Sequence, residues 1–387
     1  MSSPALPGQS PQTPASSTAA YFTDSYIFNW ANRTFRDDLI FVPPIALCLG
    51  TGLLSHHPAA GMIAAGGAVT VGFGAKQSID DSPLLPMLFV SLGMAFAAFI
   101  GVVIGHANFL LVATAALWGF GYGMLTTREA GYGWVGQQCV ITFLVASAFP
   151  ASVEAAGDRA LLILAGGAIQ LVSAAILLRT FRQLGTHFVS LARYIRAEEV
   201  ALRAAVLETA QSVRESKILN SALPYSLRLA LTLGVTTEIY RRLHFASGYW
   251  IPMTALLVLK PGVVDTASRA IARMIGTLTG AVLASFCIAH TTPAPLTLAS
   301  FTLLFAWLSY GTANVNYALF SVSVTGYIVF LLALANVPGP LIAERRAVCT
   351  AIGGLIALGV RLVVISRLKK RWEIAIRTRR HISDPNI

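Results

Sequence analysis

The feature that most limits this chain is the recurrence of apolar stretches long enough to cross a bilayer. A hydrocarbon core of about 30 Å takes about 20 residues of helix. Stretches near that length fall at about 39–54, 59–75, 84–105, 107–125, 133–152 and 159–178. A second set falls at about 224–240, 247–260, 266–289, 294–310, 315–336 and 345–366. Turn-forming residues separate them, as at His56-His57-Pro58, Asp80-Asp81-Ser82-Pro83 and Pro338-Gly339-Pro340. Only 12% of the residues are charged and the mean hydropathy is +0.68. Soluble domains carry about 25% charge, so this chain lacks the ionic surface of an ordinary cytosolic enzyme. Lipid leaves helices as the way to satisfy the backbone of such segments. The expected fold is therefore all-α: a polytopic membrane protein of about 12 transmembrane helices.

Charge sets the orientation. The net +11 would suggest nucleic acid in a soluble domain, but here Lys and Arg avoid the apolar runs and concentrate in 179–223 and 367–387. Alternate loops hold only Arg159, Arg241, Arg242, Arg345 and Arg346. That asymmetry predicts cytoplasmic termini and a cytoplasmic linker, with no nucleic-acid partner. The resulting organisation is a tail over 1–38, a first transmembrane repeat over 39–178, a helical linker over 179–223, a second repeat over 224–366 and a basic tail over 367–387. The tail opens with a Ser/Pro/Thr/Ala-rich run, read as disordered and as no cleavable signal peptide. Phe28, Trp30 and Phe35 then make an interfacial approach to the first span.

The two sets of six stretches read as copies. Phe143-Leu144-Val145-Ala146 matches Phe330-Leu331-Leu332-Ala333 at an offset of 187, where Arg159 also falls on Arg346 and Gly166 on Gly353. An even number of spans per copy makes the repeats parallel, and a pathway between facing copies makes transport the leading function.

The chemistry concentrates in the second copy. Tyr249 and Trp250 stand at one end of a span, where they serve either as interfacial anchors or as contacts for a substrate's apolar body. Pro252 beside them is expected to free backbone carbonyls. Lys260 ends that span. Arg269 and Arg273 then share one face of the next helix, followed by Thr277 and the Gly276/Gly280 pair that favours close helix packing. The pattern Arg273-x3-Thr277-x2-Gly280 recurs as Arg346-x3-Thr350-x2-Gly353. An arginine inside the bilayer costs roughly 2.5–3.5 kcal/mol on insertion scales, so it snorkels, pairs or lines a cavity. Arg273, one turn deeper than Arg269, is the stronger candidate for an anion pathway.

The run YWIPMTALLVLKP, followed by TASRAIARMIGTLTG and ERRAVCTAIGG, resembles the fusaric acid resistance-like family, also called the aromatic acid exporters. The resemblance is specific over 248–280 and softer to about 366; residues 39–178 share only the span layout. It implies an inner-membrane exporter of aromatic or other organic carboxylic acids, working with a periplasmic adaptor protein, and a membrane fold shared with plant malate channels. Larger members carry a sizeable soluble domain between the halves, where this chain has only the 179–223 linker.

Proton-driven export needs a titratable group. Glu238 and Asp265 are the candidates, although Glu238 beside Arg241 and Arg242 also suits an interfacial ion cluster, and Asp265 suits a partner for Arg269. Partners are small organic anions and membrane lipid, with an adaptor and self-association as further options. No nucleophile–base pair, carboxylate pair or metal cluster appears at useful spacing, so no enzyme activity, cofactor or metal is expected. Cys48, Cys139, Cys287 and Cys349 read as buried hydrophobes. A passive anion channel and a non-transporting scaffold or accessory subunit are the competing functions.

Overall fold

A computed structural model describes residues 27–106, 108–180, 217–243, 247–260, 263–290, 294–335, 344–360 and 362. Most of the linker and both chain ends lie outside these residues. Helices occupy each of the apolar stretches. In the first half they are α1 (Val42–Leu54), α2 (Pro58–Gly74), α3 (Leu84–Ile104), α4 (Asn108–Leu125), α5 (Ala130–Ser147) and α6 (Val153–Thr180). In the second they are α7 (Lys217–Leu243), α8 (Trp250–Val258), α9 (Val263–His290), α10 (Pro295–Thr312) and α11 (Tyr317–Ala333). A further helix, α12, runs through 344–360. Among the described residues the one piece of β pairing is the isolated Ile79–Ser82 bridge.

Four segments are long and apolar enough to cross a membrane unaided: Trp30–Leu54, Leu84–Ile104, Val153–Leu177 and Asp265–His290. Together with the shorter apolar helices Pro58–Gly74, Phe109–Leu125 and Tyr317–Ala333, they make this a multi-pass membrane protein. Local chemistry punctuates the helices. Prolines open α2 and α10, where their missing N–H costs nothing. Asn316 caps α11, its Oδ1 accepting from the Ala318 and Leu319 amides at 2.8 and 3.1 Å.

The helices are laid together in matching ways in the two halves. In the first, α3 runs along α5 and α2 along α6; in the second, α9 runs along α11, and α12 meets α8 through Gly353. Between halves, α7 lies along α4 and α10 against α1. Tyr310 of α10 is fully buried at that second seam, its hydroxyl donating to the Val69 carbonyl at 2.7 Å and its ring set between Phe41 and Phe73. Burying such a ring contributes about 2 kcal/mol.

Residues 27–38, read from the sequence as the end of the tail and its interfacial approach, are tied to the second half. The Asn29 amide donates to the Val315 carbonyl, Asn316 Nδ2 to the Ile27 carbonyl and Trp307 Nε1 to the Phe35 carbonyl. Beside them the Lys76 ammonium donates to Thr34 Oγ1 at 2.9 Å, Asp38 Oδ2 at 2.8 Å and the Tyr310 carbonyl at 2.6 Å. Asp38 is buried. Desolvation lowers the Lys76 ammonium from its ordinary value, while the Asp38 carboxylate pulls it back up.

Candidate functional site

The site grows from an unusually short helix. At nine residues, α8 rises only about 13 Å, well short of a bilayer. Ser247 leads into it at φ 61°, in the left-handed region that side chains with a Cβ rarely adopt. Hydrogen bonds hold the turn: the Trp250 amide to the Ser247 carbonyl at 3.2 Å and the Ile251 amide to the Gly248 carbonyl at 2.9 Å. Pro252 stands in the first turn, where no intrahelical donor is lost. The carbonyl four residues before it, Gly248, accepts from Ile251, so the expected freeing of a carbonyl there does not occur. Tyr249 and Trp250 are both buried, within the protein interior and not at its rim.

Two buried arginines belong to this region, one of them at this end of α8. Arg346, near the start of α12, is 1% exposed. Its guanidinium carbon lies 3.8 Å from the Trp250 ring centroid, a close cation–π contact. Its Nη2 donates to Thr325 Oγ1 at 3.2 Å, while Nε and Nη1 are buried without a protein acceptor. Arg273 of α9, 4% exposed, comes close enough for its charge to act on Arg346, and its Nε is likewise without an acceptor. Ten residues past Val263, Arg273 sits about 15 Å along a helix of 28 residues. Among the described residues no carboxylate reaches either guanidinium, and the pairs Lys76–Asp38, Arg241–Glu238 and Arg242–Glu238 lie elsewhere.

Small residues make the approach possible. A Cβ on Gly280 would stand 2.6 Å from the Val322 carbonyl oxygen and 2.9 Å from the Thr325 Cβ, so the Gly276/Gly280 pair lets α9 lie directly on the α11 backbone. Around the arginines the hydroxyls of Thr277, Thr254 and Ser321 are buried and without hydrogen-bond partners. Buried polar atoms are nearly always satisfied, and here cationic and hydroxyl donors are left over together.

The remaining sequence candidates are placed elsewhere. At the other end of α8 the Lys260 amide donates to Thr266 Oγ1, and Arg269 Nε to the Leu257 carbonyl at 3.2 Å. The Arg269 guanidinium lies 3.9 Å from the Tyr317 ring centroid, and Asp265 is exposed. Glu238, near the end of α7, takes Arg241 in a two-pronged pair at 2.8 Å and also holds Arg242. Sequence reasoning missed Thr325 and Ser321. Their signal was the one-turn spacing Ser321-x3-Thr325, which places both hydroxyls on the α11 face opposite the α9 glycines.

Residues 235–360 match the fusaric acid resistance protein-like family. Three curated proteins are similar over part of their length. "Uncharacterized protein YhfK" of Escherichia coli (strain K12) is 33% identical over 132 residues, 34% of this chain and 19% of that protein. "Uncharacterized protein slr1298" of Synechocystis sp. is 31% identical over 144 residues, 37% of this chain and 19% of that protein. "Uncharacterized protein ORF2" of Neisseria gonorrhoeae is 29% identical over 162 residues, 40% of this chain and 39% of that protein. The chain thus spans about a fifth of the length of the first two. No solved structure matches it. The matched stretch 235–360 carries the buried arginines and every other site residue from Glu238 to Arg346, so the similarity to the fusaric acid resistance protein-like family falls on the part of the chain that holds the site.

Proposed function

We propose that this protein is an inner-membrane transporter that exports aromatic or other organic carboxylic acids, driven by the proton gradient, with both termini in the cytoplasm. The observation that carries the reading is the pair Arg273 and Arg346: both buried, both with guanidinium N–H groups left over, and neither with a carboxylate partner among the described residues. Each isolated charge costs roughly 2.5–3.5 kcal/mol at the bilayer centre, and an anion entering between them offsets that cost. Its carboxylate takes the spare guanidinium N–H donors and the hydroxyls of Thr277 and Thr254. Trp250 acts through the cation it faces. Its ring face is covered by Arg346, so it orients the guanidinium more than it stacks on the substrate's ring.

Twelve spans in two parallel six-helix repeats supply the moving parts. The duplication is supported by the matched seams, α7 on α4 and α10 on α1, and by one equivalence at backbone level. A Cβ on Gly353 would meet the Ile251 carbonyl, and one on Gly166 would meet the Ala64 carbonyl; both members of each pair are related by the 187-residue offset. Rocking of one repeat against the other exposes the arginines to each side in turn.

The test is counterflow of radiolabelled 4-hydroxybenzoate by the full chain in proteoliposomes. Wild type is expected to show saturable counterflow, and Arg273→Ala to lose it at least 100-fold with unchanged reconstitution. Unitary currents without counterflow would replace the carrier by the passive anion channel. No movement and no binding of any carboxylate would leave the scaffold reading.

A further inference from the structure

The duplication gives Arg346 a counterpart, Arg159, near the start of α6, and the two cap opposite ends of one row of aromatic rings. Arg159 lies over the Phe149 ring, 5.3 Å from its centroid. Phe149, in the turn between α5 and α6, contacts Tyr249 at 6.1 Å between centroids. Tyr249 contacts Trp250 at 5.1 Å, and Trp250 carries Arg346 at 3.8 Å. The row crosses from the first half to the second at Phe149–Tyr249. Tyr249 and Trp250 are buried, whereas Phe149 is 47% exposed and Arg159 half-buried. Among the described residues Arg159 makes no ion pair, and its neighbour Asp158 is exposed.

We propose that Arg159 is a second anion-binding station, for a carboxylate bearing an apolar ring, with the Phe149–Tyr249 contact as the gate between it and the buried arginines. This rests on the transport reading above. An anion at Arg346 sits in a dry, low-dielectric setting where attraction is strong. At Arg159 the same group is half-solvated and screened, so the hold is weaker and release is easy. The ring contact closes the step between them. Parting the α5–α6 turn from the start of α8, a motion of one half against the other, opens it. Phe149 stays beside Arg159 in either state and gives the ligand's ring an apolar surface.

The test measures half-saturation separately from each face of sided proteoliposomes, with 4-hydroxybenzoate as the probe. Arg159→Ala is expected to raise the value about five- to tenfold on the Arg159 face and to leave the opposite face unchanged; Arg159→Lys is expected to recover most of the affinity. An equal shift on both faces would mark a structural role, and no shift on either would remove the station; both overturn the proposal. Failure of the wild-type protein itself to show counterflow would instead take down the transport reading and this one with it, so the two failures are told apart. Phe149→Ala is expected to raise passive leak of the probe; an unchanged leak overturns the gate.

Discussion

The helices α2 and α8, which the proposed duplication makes equivalent, differ in length. Helix α2 begins at Pro58 and runs 17 residues, whereas α8 begins at Trp250 and runs nine. At the 187-residue offset Pro58 corresponds to position 245, so α8 starts five positions deeper. The missing turn is where Tyr249, Trp250 and Arg346 collect. The first half keeps the full helix, and its arginine at the equivalent position, Arg159, stays half-buried at the edge. Under the proposed duplication, the first half is the packed scaffold and the second holds buried charge where the first has helix. The exchange works because the shortened helix is held by its neighbours: Ile251 on Gly353, and Ser247 by the Cys349 thiol.

The largest effect expected from that difference is at the arginines themselves. Arg346→Met removes an unpaired charge from the interior while keeping a side chain of similar length. We expect counterflow to fall more than 100-fold while the Tm of the purified protein stays level or rises, because replacing uncompensated buried charge by apolar packing is neutral or stabilising. Arg159→Met should leave Tm unchanged and affect transport from one face. A large drop in Tm for Arg346→Met would mean that the guanidinium is there for structure, and the asymmetry between the halves would lose its functional meaning.

A smaller pair of effects probes what the halves still share. Gly166 and Gly353 each lie on a carbonyl of the partner helix, Ala64 and Ile251, with no room for a side chain. Replacing either by Leu forces the helices apart, at about 1–3 kcal/mol for overpacking, read as lowered Tm in a fluorescence melt. Comparable losses for the two variants sharpen the case for duplication. A loss at one site alone would break it.

Much of this was legible in the sequence because lipid allows few answers. The apolar runs mark where helices form, and every one of those stretches holds a helix. Spacing also put Arg269 and Arg273 one turn apart on α9, where Arg269 Nε reaches the Leu257 carbonyl and Arg273 Nε is buried without a partner. What spacing could not give was contact between distant segments. Nothing near Lys76 announces that its ammonium bridges Asp38 and the Tyr310 carbonyl, and nothing near Arg346 announces Thr325. Such pairs depend on how whole helices cross. Pro252 misled for a local reason: position within the first turn, not the presence of proline, decides whether a carbonyl is freed.

The smallest expected effect concerns carboxylates: Glu238, which the sequence offered for proton coupling together with the exposed Asp265, and Asp38, a buried carboxylate that the structure adds. Glu238 lies at the end of α7, holding Arg241 and Arg242, whereas Asp38 is buried against Lys76 where the first half meets α10. A proton-coupling carboxylate must change partners as the halves move. Glu238 draws both of its guanidinium partners from its own helix, three and four residues on, and they travel with it. Asp38 takes its Lys76 partner from the turn after α2, and that lysine also grips the second half. Glu238→Gln is therefore expected to transport 4-hydroxybenzoate with its dependence on the pH gradient intact and with little change in Tm, since ion pairs between near neighbours on one helix add little to stability. If Glu238→Gln instead keeps counterflow but no longer responds to an imposed pH gradient, the proton site moves to Glu238 in the second half. Asp38 is then left as a latch, and the division between a scaffold half and a working half becomes complete.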